Sequence, residues 1–220
     1  MPETAQTAPV LRDGQGDALG DLRFRALLSK SEWNSLPLAV RRRFSKRLAG
    51  GQSVVYAGVL TAAKRNLLGA LMAETLRLIG APLPLSMDTG LPSIVSVTED
   101  IAGGGQIWSR LHCNRHGFPQ AIHSAKRFSG PTGLEEFLGT LFSIALGVRA
   151  EGDTLVFESD HFALHLAGRR MRLPRLVAPG RLTVRHRELG DGQFEFSLDL
   201  THRWFGVLLQ QIGIYRESTT

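Results

Sequence analysis

The sequence predicts an α+β fold, mainly β, with N-terminal helices and one amphipathic helix packed on a large antiparallel curved sheet or barrel. Three observations carry this expectation. From Gly180 to Tyr215 residues alternate with a period of two, so that Leu182, Val184, His186 and Glu188 share one face while Thr183, Arg185 and Arg187 share the other. About nine segments of strand character run from Leu91 onward, separated by short glycine-rich breaks that favour antiparallel neighbours. One stretch alone, Lys64–Ile79, has strong helical periodicity, which is too little helix for a doubly wound sheet.

Taken in order, Met1–Gly20 is rich in small residues, Pro and acids, and is expected to be a disordered tail. Asp21 is placed to cap a short helix over Leu22–Leu28. A second helix, Leu38–Lys46, follows Pro37; Val40 and Phe44 share a face at i and i+4, and Gly50 and Gly51 stop it. Gln52–Thr61 reads as a strand by its Val-Val-Tyr-Ala-Gly-Val run. In Lys64–Ile79 the residues Leu67, Leu68, Leu71, Met72, Leu76 and Ile79 form a wide apolar stripe, ended by Gly80 and Pro82. Its few charges, clustered at Lys64 and Arg65, favour packing on a sheet over lying on a membrane. Strands are expected at Leu91–Thr98, Gln106–Cys113, Gln120–Phe128, Leu134–Val148, Thr154–Glu158 and His161–Leu166, then at the final three. Residues 21–217 read as a single domain.

Composition narrows the setting. The 220 residues are 43 % hydrophobic, and the net charge of +6 favours anionic partners weakly. A lone cysteine, Cys113, excludes an internal disulfide and a four-cysteine zinc site. No signal-peptide pattern opens the chain and no run reaches the ~18 apolar residues of a transmembrane helix, so a cytoplasmic protein is expected.

Polar residues on apolar faces are the candidates for function. His186 and Glu188 lie about 7 Å apart along their strand and need partners if they face inward. They suit either a structural pairing with an arginine or a ligand's polar end. Glu136 shares a face with Leu134, Leu138 and Phe142. Arg110 is the natural cation for Glu136 or Glu188, most of all for Glu188, and shares one side of its strand with Trp108 and His112. The candidate ligand-binding set is therefore Trp108, Arg110, Glu136, His186 and Glu188, with no catalytic residue assigned.

Other chemistries find little support. His161 and His165 would stand about 13 Å apart in a strand, too far to share a metal. Gly103-Gly-Gly105 lacks the spacing of a dinucleotide fingerprint, so no cofactor is expected. The arginines between Arg169 and Arg187 have no interleaved aromatics, which disfavours nucleic acid.

An ordered series of short motifs then points to a family. Phe24-Arg-Ala-Leu-Leu, Leu36-Pro37, Trp108-Ser-Arg110, Leu134-Glu-Glu136-Phe-Leu-Gly139 and Leu173-Pro174-Arg-Leu-Val-Ala-Pro179 are followed by Glu188 and Gly192-Gln-Phe194-Glu-Phe196, leading to Gly206 and Gly213. The series resembles the bacterial family called domain of unknown function 4166, over roughly Phe24 to Tyr215. Relatives of that family also carry the domain fused behind dehydrogenase-like domains, which implies an oxidoreductase as a partner. Two positions depart from the family pattern. Gln211 stands shortly before Gly213 where the family tends to place Tyr, and Leu111-His112 follows Arg110 where it prefers an aromatic. The sequence thus favours a β-barrel-like domain that binds a small, largely apolar or amphipathic, lipid-like molecule in its interior. A non-catalytic partner domain of a dehydrogenase-like protein, or an isomerase or cyclase using His186 and Glu188, are the alternatives.

Overall fold

A computed structural model of the chain describes residues 11–12, 18–46, 48–78 and 83–218. Of the N-terminal stretch expected to be disordered, β1 (Leu11–Arg12) pairs antiparallel with β2 (Ala18–Leu19), and residues 1–10 and 13–17 lie outside the described residues. The domain proper consists of β3 (Ser53–Arg65), β4 (Pro92–Asp100), β5 (Gly105–His112), β6 (Gln120–Arg127), β7 (Glu135–Leu138), β8 (Phe142–Glu151), β9 (Thr154–Leu166), β10 (Arg169–Arg172), β11 (Arg181–Gly190), β12 (Gln193–His202) and β13 (Gly206–Glu217). Helices are few: α1 (Lys30–Ser35), α2 (Leu38–Arg43) and α3 (Leu67–Leu78).

Ten of these strands form a closed antiparallel barrel in the order β9, β11, β12, β13, β3, β4, β5, β6, β7, β8 and back to β9. Closure removes the free edges an open sheet would present. Strand β9 makes the closure. One edge pairs with β8 along its length, while the other is shared, Thr154–Glu158 pairing with β11 and Ala163–Leu166 with β10. Alternation sorts the side chains as the period of two dictates. Leu182, Val184 and His186 are buried, whereas Arg185 and Arg187 form outward ion pairs with Asp199 and Glu195 on β12.

Several element boundaries differ from the sequence expectation. Leu134–Val148 is two strands, because the chain turns at Gly139 (φ 71°), a conformation glycine adopts without steric cost. The hairpin sets Glu136 opposite Ile144 and Leu138 opposite Phe142, so the two halves keep a common inner face. Thr154–Glu158 and His161–Leu166 are one continuous strand, and Gly168 turns the chain into the extra strand β10. The helix expected over Leu22–Leu28 is a single 3-10 turn at Arg25–Leu27, preceded by the Asp21 carboxylate, which accepts from the Arg23 backbone and guanidinium. The helix from Leu38 ends at Arg43. The first true helix, α1, begins at a capping box between Ser29 and Glu32. Helix α3 starts at Leu67 because β3 runs on to Arg65, where it pairs with Leu209; Ile79, Gly80 and Pro82 lie outside the described residues.

The barrel has unlike ends. At one, α1 and α2 plug the opening, with Trp33, Leu36, Val40 and Phe44 all at most 4 % exposed. Phe24 stacks edge-on against Phe44 and Phe128, and Phe44 meets Phe157 and His186. At the other end α3 crosses between β3 and β4. It approaches β13 so closely that a Cβ at Gly69 would stand 2.0 Å from the Leu208 carbonyl oxygen. The turns β5–β6 and β12–β13 and the loop from β10 to β11 border this second end.

Candidate functional site

Between α3 and the barrel floor lies a cavity of about 370 Å³. Its walls are mostly apolar: Leu60, Val95, Ile122, Ile144, Phe162 and Leu182 from the strands, with Met72 and Leu76 from α3. Thr75 and Val177, both solvent-exposed, also line it, so the cavity reaches the surface between α3 and the β10–β11 loop. Besides Thr75 at the mouth, five polar residues line this apolar space: Arg110, His112, Glu136, Gln211 and Tyr215.

These polar residues belong to two networks. In the first, Glu136 Oε1 accepts from Lys126 Nζ at 2.9 Å and from Ser124 Oγ at 2.7 Å, with Arg110 Nη2 at 3.6 Å. Burial alone would raise the Glu136 pKa, but Lys126, Arg110 and the hydrogen bonds from Lys126 and Ser124 outweigh it and hold the carboxyl at about 2. Burial pushes Lys126 down against the pull of Glu136. Two cations thus share one carboxylate. The Lys126 ammonium also lies 4.9 Å from the Trp108 ring centroid.

In the second network Tyr215 OH lies 2.9 Å from Ser93 Oγ, which lies 3.0 Å from His112 Nδ1. If Tyr215 donates to Ser93 and Ser93 to His112, both hydroxyl protons are used; this direction puts the imidazole proton on Nε2. Burial, helped by Arg110, lowers His112 to about 4, so the ring is neutral near pH 7. Burial raises Tyr215. Its ring finds room because Gly213 lacks a side chain, where a Cβ would stand 2.5 Å from Tyr215 Cε2.

Three buried nitrogens of this floor have no hydrogen-bond partner among the described residues: Gln211 Nε2 and Arg110 Nε, which donate, and His112 Nε2, which donates in the tautomer just given. Buried donors left unpaired are costly, and three around one cavity suit a molecule that brings acceptors.

A family model described as a domain of unknown function, DUF4166, matches residues 36–214, most of the chain. The chain belongs to the DUF4166 family. No curated protein and no solved structure matches it. His112 and Gln211 both line the cavity of this DUF4166 domain.

The five residues singled out from the sequence divide. Arg110 and Glu136 meet at the cavity. Trp108 lies beneath it, buried, its indole donating to Gln106 Oε1 at 3.2 Å. His186 and Glu188 lie at the plugged end and do not line the cavity. The cation expected for Glu188 was Arg110; the structure supplies Arg43 of α2, at 3.0 Å from Glu188 Oε2 and 2.7 Å from His186 Nε2. Arginine can only donate, so His186 Nε2 accepts and Nδ1 carries the proton. Burial and then Arg43 push the His186 pKa well below its ordinary value. Arg43 also covers the Phe194 ring, 4.0 Å from its centroid. Sequence parity placed the two strand residues correctly; the partner came from a short helix 143 positions away, which no local pattern reveals.

Sequence reading missed His112 and Gln211 as cavity residues, and Lys126 and Tyr215 as members of the networks. Inward parity was a usable signal for His112, which shares its side of β5 with Trp108 and Arg110. His161 and His165 are taken up elsewhere: His161 bridges Asp160 and Arg170, and His165 lies 2.7 Å from Ser143 Oγ. No helix among the described residues is long and apolar enough to cross a membrane.

Proposed function

We propose that this domain holds a small, largely apolar, lipid-like molecule inside its barrel, with an acceptor-bearing end against the polar floor. The observation that supports the reading is the combination of an apolar cavity of about 370 Å³ with three unpartnered donors in its lining. The excess cation of the Arg110–Lys126–Glu136 group favours an oxygen-rich or acidic end, such as a carboxylate, over a basic one. The isomerase or cyclase reading has less support, because His186 and Glu188 are held by Arg43 away from the cavity.

Native mass spectrometry of gently purified protein, followed by displacement of a fluorescent long-chain fatty acid, tests this. One apolar molecule per chain is expected, and Leu198→Trp, which fills the cavity, should weaken probe binding by at least about tenfold. Gln211→Leu should weaken an acidic probe more than its methyl ester. No retained molecule together with no probe binding would exclude the proposal.

A further inference from the structure

We infer that the cavity end of the barrel is a docking face for an anionic lipid bilayer. Large apolar side chains stand in water there on three separate elements. On α3 Leu67 is 88 % and Leu71 64 % exposed; on the β10–β11 loop Leu176 is 69 % and Val177 66 %; on the β12–β13 turn Trp204 is 58 % and Phe205 55 %. Such exposure is ordinary for single residues and informative when it is contiguous.

The three elements are neighbours. Asn66, just before α3, donates to the Phe205 carbonyl oxygen at 3.0 Å, which joins the helix to the turn. Arg172 and Arg175 line a shallow pocket together with Thr201, His202 and Arg203, which joins the loop to the end of β12. Helix α3 and the loop also share the mouth of the cavity. The plugged end, in contrast, buries the large side chains of its helices.

Charge identifies the occupant. Arg169, Arg172, Arg175 and Arg203 are exposed among the apolar residues. The acids nearby are Asp160, which reaches Arg172 at 3.9 Å, and Glu74, paired with Arg77 on α3. An apolar centre with a cationic rim and an exposed tryptophan matches an anionic headgroup layer, into which apolar tips insert while arginines meet phosphates. A second copy of the chain is a poorer fit, since a symmetric contact would set these arginines against themselves. The helix charges alone argued against a membrane; the complementary cations come from the loop and the turn.

The inference goes beyond the interior-ligand reading and stands or falls separately from it, because vesicle association is measured apart from ligand retention. Flotation would compare vesicles of phosphatidylcholine with vesicles of phosphatidylcholine and phosphatidylglycerol. Association with the anionic vesicles alone is expected at about 0.1 M salt, and its loss at about 1 M. Brominated acyl chains should quench Trp204, because Trp33 and Trp108 are buried at 1 % and 8 % exposure. Leu176→Ser with Val177→Ser, and separately Arg172→Glu with Arg175→Glu, should each weaken association at least about tenfold, with an unchanged melting temperature. The arginine variant should also keep any retained ligand. No association with anionic vesicles, equal association with neutral ones, or association without quenching would overturn the inference. So would a dimer in solution that Leu176→Ser with Val177→Ser dissociates, which would give the face to a second copy.

Discussion

The two ends of this barrel treat the same strands in opposite ways. Where α1 and α2 enter, aromatic rings interlock and Arg43 engages both His186 and Glu188. Where α3 crosses, space is left between the helix and the barrel floor. Dense packing gains dispersion and apolar burial, whereas a hole forfeits both. Stability is thereby concentrated at the plugged end, and the other end is left free to carry a cavity.

The contrast can be broken at its strongest point. Trp33→Ala removes the largest side chain of the plug and should cost about 4 kcal/mol, read from the urea midpoint at unchanged slope. A loss under about 1 kcal/mol would mean that the plug is ornamental. Glu188→Gln keeps the shape but leaves Arg43 buried without its anion, and should cost on the order of 3 kcal/mol. The same change should leave probe binding at the far end intact.

Acid sharpens the comparison, because the cavity floor should titrate in two separate windows. His112 is depressed to about 4 from an ordinary 6.5, so between these values the unfolded chain takes up a proton that the folded chain refuses. Stability is therefore full above pH 6.5 and falls as pH drops toward 4, by on the order of 2–3 kcal/mol. Glu136 is depressed to about 2 from 4.5, so its contribution is present above pH 4.5 and lost as pH falls through 2. His112→Asn should make the first loss smaller, His186 keeping its own share of it, and Glu136→Gln should make the second smaller beside the other lowered carboxyls, measured by denaturation at a series of pH values. The smallest effect belongs to the exposed face of α3. Leu71→Ser should shift stability by no more than ~0.5 kcal/mol.

Legibility in the sequence followed the range of the interactions. Strand alternation is local, so the inner faces of β11 and β12 could be read directly, with Leu182, Val184, Phe194 and Leu200 buried as expected. Strand count and short turns allowed either an open curved sheet or a barrel; the pairing of β9 with both β8 and β11 closes it. The site was half legible for the same reason. Parity identified Arg110 and Glu136 as inward, yet whether an inward residue meets a cavity or a plug depends on which helix covers that end. The six-residue helix α1 is too short for periodicity to announce it; α2 was expected from Val40 and Phe44, but no local pattern shows that its Arg43 claims His186 and Glu188.

The pairing of β3 with β13 has a consequence for how the molecule is made. Leu60 pairs with Gly213 and Ala57 with Arg216, so the first strand of the barrel waits for the last, more than 150 positions later. Loops of that length close slowly, and the ring cannot be completed while β13 is still inside the ribosome. Until then β3 and β12 each expose an edge able to pair with a neighbouring chain. The arrival of β13 is therefore the step at which this fold commits, and a chain truncated before β13 should be protease-sensitive throughout.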